Sequence, residues 1–213
     1  QPLTELTLSL FNMKRASLKR DDEQVEAIYT EAKGMIQNMS QTIEDFINFF
    51  RPDKPKEPFK VAKSIEESLQ ILKKSLEKEH IEIDQDIDET LEAVGVSNEL
   101  SQVVINLLQN AKDAFSGKEI SKKRVKIRLY QKDEFAEIVI SDNAGGIEQS
   151  VLERVFEPYF TTKHTAKGTG LGLFMSKLII EKGLFGSIEA KNVGDGASFI
   201  IKIPLAKESV DVV

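Results

Sequence analysis

Hydrophobic positions in the first fifty residues recur at helical spacing. Between Val25 and Phe49 they step alternately by three and four residues, a heptad pattern that predicts a long amphipathic helix. The same steps occur earlier, at Leu3, Leu6, Leu10 and Met13. The acidic run from Asp21 to Glu23 suits the N-terminus of a helix. We therefore predict an antiparallel helical hairpin that turns near residues 18–22.

The apolar stripe of the second predicted helix is wide. Its members are Val25, Ile28, Ala32, Met35, Ile36, Met39, Thr42, Ile43, Phe46, Phe49 and Phe50. A two-helix hairpin of this length cannot bury so much apolar surface alone. We expect two chains to pair into a four-helix bundle, which makes the protein a homodimer. The alternative is a hairpin packed on the C-terminal part of its own chain, which the width of the stripe disfavours.

Prolines divide the chain after the hairpin. Three of the six fall between Arg51 and Pro58, which predicts an extended linker. Beyond it, helices are predicted at 63–78, 98–116 and 171–182, and strands at 81–83, 125–129, 134–141, 187–192 and 197–203. The predicted helices and strands do not alternate regularly, as they would in a series of βαβ units. We therefore predict an α+β chain with a helical hairpin (1–50), a linker (51–58) and an α/β sandwich (59–213), whose helices lie on one face of a mixed, mostly antiparallel sheet.

Composition narrows the classes of function. The chain has 213 residues, a net charge of −6 and no Cys. The acidic balance argues against a nucleic-acid partner, and the lack of Cys excludes disulfides and thiolate metal sites. The two histidines, His80 and His164, are too few and too far apart in sequence for a histidine metal site. No apolar run is long enough to span a bilayer, and the chain opens at Gln1 rather than Met. We expect an excised piece, so that any membrane anchor would lie upstream in the parent.

Three polar residues share one stripe of the helix predicted at 98–116. Asn106, Asn110 and Asp113 lie at i, i+4 and i+7, beside a broad apolar arc. Asn is a poor helix former, so two on one stripe call for a reason. Amide oxygens suit Mg²⁺, which keeps several waters and takes phosphate oxygens as further ligands. A solvated polar face explains the same stripe equally well.

A predicted strand runs into Asp142 and then into a turn that contains Gly145 and Gly146. These glycines would let the backbone approach a flat ligand closely. A carboxylate at a strand end can accept a hydrogen bond from an amino group such as that of adenine. Alone, the segment also fits an ordinary turn, with Asp and Gly in their usual roles.

A glycine-rich loop precedes the last predicted helix. In Gly168-Thr-Gly-Leu-Gly172 the glycines alternate, so that the loop presents N–H groups to a phosphate and the helix dipole adds to the attraction. No Gly-Lys-Ser/Thr follows and the loop opens no βαβ unit, which excludes a Walker P-loop and disfavours a dinucleotide fingerprint. The polar run from His164 to Lys167 is predicted to be a mobile lid.

Four segments in this order carry a family resemblance. They are Asn106-Leu-Leu-Gln-Asn-Ala111, Asp142-Asn-Ala-Gly-Gly-Ile147, Phe156-Glu-Pro-Tyr-Phe160 and Gly168-Thr-Gly-Leu-Gly172. They resemble the N, G1, F and G2 boxes of the ATP-binding domain of sensor histidine kinases, within the superfamily that includes gyrase, Hsp90 and MutL. The F box is similar to that of histidine kinases rather than gyrase or Hsp90. The linker, Phe49–Asp53 and Glu57–Phe59, and the opening Gln1-Pro2-Leu3, which resembles the end of an H box, extend the resemblance over essentially the whole chain.

The resemblance implies a Bergerat fold, ATP and Mg²⁺ as cofactors, and a role for each matching residue. Asn110 would coordinate Mg²⁺ and Asn106 would lie near the γ-phosphate, which makes these two the candidate catalytic residues. Asp142 would bind the adenine amino group. The other candidate nucleotide contacts are Lys112, Asp113, Ala144, Gly146, Ile147, Phe160, Thr162, Lys163, Gly168, Thr169, Gly170, Leu171, Gly172 and Leu173. Among these, the G2 glycines would cradle the phosphates and the two lysines would neutralise phosphate charge.

Two features depart from the family pattern. Ala144 replaces the first glycine of Asp-x-Gly-x-Gly; because Ala is small, we expect nucleotide binding to survive. The H-box histidine would stand four positions before Gln1, and neither His80 nor His164 lies in an H box. We therefore expect this chain to bind ATP but not to phosphorylate itself at the family's site.

The resemblance implies that the chain is the core of a cytoplasmic sensor histidine kinase. It would transfer the γ-phosphoryl group of ATP to a histidine, for relay to an aspartate of a response-regulator receiver domain. The alternatives are a nucleotide-gated ATPase or serine kinase of the same superfamily, and a pseudokinase in which ATP binding only sets the geometry of the dimer.

Overall fold

The computed structural model describes residues 2–18, 21–30, 32–34, 36, 55–162 and 170–206. The chain forms two compact units, one of residues 1–52 with 156–174 and one of residues 53–155 with 175–213. Most of the predicted heptad seam, the first part of the linker and the predicted lid fall outside the described residues.

Two helical segments belong to the first unit. Helix α1 spans Pro2–Leu18, and α2 comprises the helical residues 22–30, 32–34 and 36. Asp21 caps α2, because its Oδ1 accepts the N–H of Gln24 at 3.0 Å. Helix α1 thus ends at Leu18, and α2 begins after Asp21.

The remaining elements follow in chain order. Among the described residues the helices are α3 (Val61–Lys78), α4 (Ser97–Ala114), α5 (Gln149–Leu152) and α6 (Gly172–Leu178). The strands are β1 (Glu57–Lys60), β2 (Ile81–Ile87), β3 (Glu92–Gly95), β4 (Lys123–Lys132), β5 (Phe135–Asp142), β6 (Ser187–Val193) and β7 (Gly196–Pro204).

A five-stranded sheet organises the second unit, with strand order β2-β4-β5-β7-β6. Strands β2 and β4 are parallel, and each of the other neighbouring pairs is antiparallel. Helix α4 packs on β5, and α3 packs on α4 and β2. On β4, the buried Val125, Ile127 and Leu129 alternate with exposed residues, so only one face of this strand is covered. The predicted α+β fold with a mixed, mostly antiparallel sheet is confirmed.

The strand pair β1–β3 is absent from the prediction made from the sequence. These strands form a separate two-stranded antiparallel sheet, in which Glu57 pairs with Gly95 and Lys60 with Glu92. Glu57 and Pro58, which begin β1, were predicted to be part of the linker. Four-residue strands repeat their alternation too few times to be recognised from periodicity.

The predicted helix at 171–182 changes its winding part-way along. Helix α6 ends at Leu178, and Ile179–Gly183 form a π-helical turn. The wider turn is visible in the bond from the N–H of Leu184 to the carbonyl of Ile179, at 3.0 Å. Hydrophobic spacing does not separate an i+5 turn from an i+4 turn over five residues, so the sequence could not reveal it.

No helix in the described part of the chain is both long enough and apolar enough to cross a membrane.

Candidate functional site

Asp142 ends β5, and its two carboxylate oxygens lie in different surroundings. Oδ1 accepts the backbone N–H of Ala144 at 2.8 Å and that of Ala197 at 3.3 Å. Within the described residues, Oδ2 has no hydrogen-bond partner. One oxygen therefore holds the local backbone, and the other is available to a donor from outside the chain.

Burial raises the pKa of Asp142 above its ordinary value. The two backbone N–H groups and the ammonium of Lys118 act in the opposite direction, whereas the charge of Asp195 adds to the increase. The effect of burial on the pKa is larger than that of the hydrogen bonds. In the protein without ligand, ionisation of Asp142 therefore lowers the stability of the fold. A buried carboxyl group with a raised pKa beside a glycine-rich loop is a candidate binding group, and a hydrogen-bond donor on a ligand would stabilise its ionised form.

The loop after Asp142 places its glycines where the backbone requires them. Gly145 and Gly146 have φ angles of 91° and 74°, in the left-handed region that favours glycine. Ala144 lies outside that region and is buried. The family's first glycine is thus replaced at a position whose backbone angles an alanine adopts without strain.

The β6–β7 hairpin holds this loop from one side. The N–H of Gly145 donates to the carbonyl of Asp195 at 2.7 Å. The side chain of Asn192 accepts the N–H of Ile147 at 2.8 Å and donates to the carbonyl of the same residue at 2.7 Å. Gly196 lies so close to Asp142 that a Cβ on it would be 1.6 Å from the Asp142 carbonyl oxygen. The conformation of the loop therefore depends on the hairpin.

Lys118, in the segment after α4, holds the loop from the other side. Its ammonium donates a hydrogen bond to the carbonyl of Ala144. Lys118, Asn192 and Gly196 were not among the site residues predicted from the sequence. No local signal marks any of the three, because each acts on a segment far away in the sequence.

The polar stripe of α4 meets α6 at one point. Asn106 donates from Nδ2 to the Oγ of Ser176 at 2.8 Å, and Ser176 is buried. Asn110 and Asp113 are half-buried on the same helix, and Asp113 accepts a hydrogen bond from Gln109 at 2.9 Å. Ser176 was not among the site residues predicted from the sequence.

Lys112, expected to neutralise phosphate charge, makes a contact within the helical layer. Its Nζ donates to the Oγ of Ser75 on α3 at 2.8 Å. A phosphate contact by Lys112 would require this hydrogen bond to break or to be shared.

Other candidate contacts belong to the unit that contains residues 156–174. Gly170 has a φ of 67°, and a Cβ on it would lie 2.5 Å from the carbonyl carbon of Tyr159 and 2.8 Å from the nitrogen of Phe160. Gly172 begins α6. Thr162 is exposed, whereas Leu171 and Leu173 are half-buried. The remaining candidates, Lys163, Gly168 and Thr169, lie outside the described residues.

Among the described residues, no group of three Asp, Glu or His side chains is placed so that it could hold a metal ion. A divalent ion at Asn110 would therefore need water and phosphate oxygens as its other ligands. That donor set suits Mg²⁺, which is reluctant to lose its waters.

Comparison with known proteins identifies related sequences and folds. The sequence model of the family described as histidine kinase-, DNA gyrase B-, and HSP90-like ATPase matches residues 95–207. The two-component sensor PprA of Pseudomonas aeruginosa is 45% identical over 115 residues, which are 53% of this chain and 12% of that protein. This chain therefore spans a small fraction of the length of that relative.

Solved structures share the fold. The nucleotide-free catalytic domain of the histidine kinase ThkA matches with a TM-score of 0.64 and 28% identity, over 71% of this chain and 96% of that one. ThkA in complex with the response regulator TrrA matches with a TM-score of 0.70 and 22% identity, over 98% of this chain and 59% of that one. At this lower identity, the likeness concerns the fold alone.

Proposed function

Because the chain belongs to the histidine kinase-, DNA gyrase B- and HSP90-like ATPase family, we propose that it is the ATP-binding core of a sensor histidine kinase. It binds ATP and directs the γ-phosphoryl group to a histidine, from which an aspartate of a response regulator receives it. The named functions of PprA and ThkA support this proposal. The structural observation that carries it is the unpartnered Oδ2 of Asp142, beside a loop built on two left-handed glycines.

Asp142 suits adenine by its hydrogen-bonding chemistry. Adenine presents an amino group where guanine presents a carbonyl oxygen. A carboxylate oxygen accepts a hydrogen bond from the amino group and repels the carbonyl oxygen. Gly146 has no side chain to keep a flat base away from the backbone. The site therefore favours ATP over GTP.

The polar stripe of α4 is suited to the phosphate side of the nucleotide. The bond from Asn106 to Ser176 uses the amide nitrogen of Asn106, so its Oδ1 remains as an acceptor for water or a metal-bound water. Asn110 is the residue that would hold Mg²⁺. When bound, Mg²⁺ neutralises phosphate charge, which together with positioning is most of what phosphoryl transfer requires.

The partner and the cellular location follow from the same activity. A response-regulator receiver domain would dock near the helical hairpin, and the complex of ThkA with TrrA supports a partner of this kind. A kinase that uses ATP works where ATP is present, so we place this region in the cytoplasm.

A homodimer through the helical hairpin is part of the proposal. Helix α1 exposes Leu10, Phe11 and Leu18, and α2 exposes Tyr29 and Ile36. Pairing of this hairpin with that of a second chain in a four-helix bundle would bury exposed apolar side chains of this kind. Light scattering on the chain is expected to give twice its mass of 23.9 kDa. A mass that stays monomeric as concentration rises would contradict the dimer.

Phosphoryl transfer is tested with the natural chain extended upstream of Gln1. After incubation with γ-labelled ATP and Mg²⁺, we expect label on the protein that is labile in acid and stable in alkali, as a phosphohistidine is. Chelation of Mg²⁺ is expected to abolish labelling. Labelled GTP, which differs in the base, is the matched control and is expected to label the protein less than ATP does. Free labelled phosphate without labelled protein would indicate an ATPase instead. Bound nucleotide without either product would indicate a pseudokinase.

A further inference from the structure

Asn192 makes an unusual pair of contacts for a side chain at the end of an edge strand. Its amide oxygen accepts the N–H of Ile147 at 2.8 Å, and its amide nitrogen donates to the carbonyl of Ile147 at 2.7 Å. One side chain thus satisfies both backbone groups of one residue, as a neighbouring strand would. Ile147 directly follows the two left-handed glycines of the loop.

The loop needs such an anchor because of its composition. A glycine pair loses more conformational freedom on ordering than any other pair of residues. Beyond Asp142, the loop is held by the hydrogen bonds of Asn143, Ala144 and Gly145 and then by Asn192 at Ile147. Asn192 is also close to Gly146, since a Cβ there would lie 2.8 Å from the Asn192 Oδ1. The asparagine therefore restrains the residue expected to line the base pocket.

We infer that Asn192 is a positioning residue for base recognition, which holds Gly146 and Ile147 in the conformation that accepts adenine before the nucleotide arrives. The inference rests on the proposed function, because it concerns the same site. A preorganised loop spares the ligand the free-energy cost of ordering it, so loss of the anchor weakens binding without changing any group that touches the phosphates.

The role of Asn192 is separable from the stability of the hairpin. The β6–β7 ladder is made by the backbone, where Asn192 pairs with Ala197 and Val193 with Gly196. Truncation of the Asn192 side chain leaves this ladder intact, and both of its hydrogen bonds to Ile147 are exposed to solvent. A purely structural role would lower the melting temperature and leave the affinity of the folded protein unchanged.

The test compares Asn192→Ala and Asn192→Asp with Val193→Ala, an exposed neighbour on the same strand. Calorimetry with ADP and with ATP is expected to show about tenfold weaker binding in Asn192→Ala, by the same factor for both nucleotides. Equal factors are expected because the loop serves the base and not the γ-phosphate. Asn192→Asp keeps the acceptor for the Ile147 N–H but sets a charge against the Ile147 carbonyl, so it is expected to bind at least as weakly. Val193→Ala is expected to bind as the wild type does.

Two further readouts separate positioning from folding. Amide hydrogen exchange at residues 145–147 of the nucleotide-free protein is expected to be faster in Asn192→Ala than in the wild type and Val193→Ala. In the kinase extended upstream, KM for ATP is expected to rise with kcat unchanged.

Different failures have different meanings. Unchanged affinity of Asn192→Ala for both nucleotides, when the wild type binds them, would overturn the positioning role alone. An equal loss in Val193→Ala would also overturn it, because hairpin stability would then explain the effect. A wild type that binds neither nucleotide would overturn the proposed function together with this inference.

Discussion

Replacing Asp142 with Asn is expected to weaken adenine-nucleotide binding by about tenfold to a hundredfold. The variant keeps an oxygen for the N–H groups of Ala144 and Ala197, which the wild-type Oδ1 accepts. It then replaces the unpartnered Oδ2 with an amide that donates. A donor facing the adenine amino group loses the hydrogen bond and opposes the approach of the base.

The same substitution is expected to leave the fold at least as stable. Burial raises the pKa of Asp142 in the folded state, so ionisation of this group opposes folding at neutral pH. That destabilisation is fully present above the folded-state pKa and is lost as the pH falls through it toward the ordinary value of about 3.9. The stability advantage of Asp142→Asn over the wild type should therefore shrink on acidification, because the protonated acid and the amide are both neutral.

Calorimetry with ATP and thermal unfolding from neutral pH down to about 4 would measure both effects. Asp195→Asn is the matched control, since it removes a nearby negative charge but leaves the Asp142 oxygens and the Asp195 carbonyl in place. If Asp142→Asn bound ATP as tightly as the wild type, the adenine assignment would be wrong. A variant markedly less stable than the wild type at neutral pH would contradict the electrostatic account.

Replacing Gly196 with Ala is expected to damage folding and binding together. The new Cβ would lie 1.6 Å from the carbonyl oxygen of Asp142 and 2.9 Å from the Cα of Asn143. Both obstacles are backbone, so the β7 strand and the Asp142 loop must separate. We expect a loss of about 3 kcal/mol in the free energy of unfolding. Nucleotide affinity should fall at least about tenfold, because the Ala197 N–H moves away from Asp142.

Gly194→Ala, in the turn just before β7, is the matched control for Gly196→Ala. Gly194 has a φ of 60°, and no atom lies within 4 Å of the position that a Cβ would take, so an alanine there suffers backbone strain but no clash. We expect it to cost about 1–2 kcal/mol and to leave nucleotide affinity near that of the wild type. Urea unfolding of both variants measures the loss of stability, and calorimetry measures nucleotide affinity. Together they distinguish backbone strain from a steric clash. Equal effects of the two substitutions on affinity would show that the close approach at Gly196 is not needed for the site.

The main elements of the second unit were predictable because their signals are local. Helix α4 and strands β4 and β5 repeat their apolar positions often enough to be recognised. Asp142 and the following glycines were predicted as a candidate site, since a strand end and a flexible turn are adjacent in sequence. Strand β1 was missed because it is short, and the π-helical turn after α6 because five residues do not define its period.

The periodic helices and strands, the position of Asp142 at a strand end and the resemblance to one family all follow from the amino-acid sequence alone. These depend on side-chain spacing and backbone freedom over a few residues. The residues that hold the Asp142 loop, in contrast, are known only from the folded chain. Asn192 and Ala197 lie 45 and 55 residues from the positions they bond. They reach the loop because β5 and β6 both pair with β7, and no local pattern of polar and apolar residues encodes such a contact.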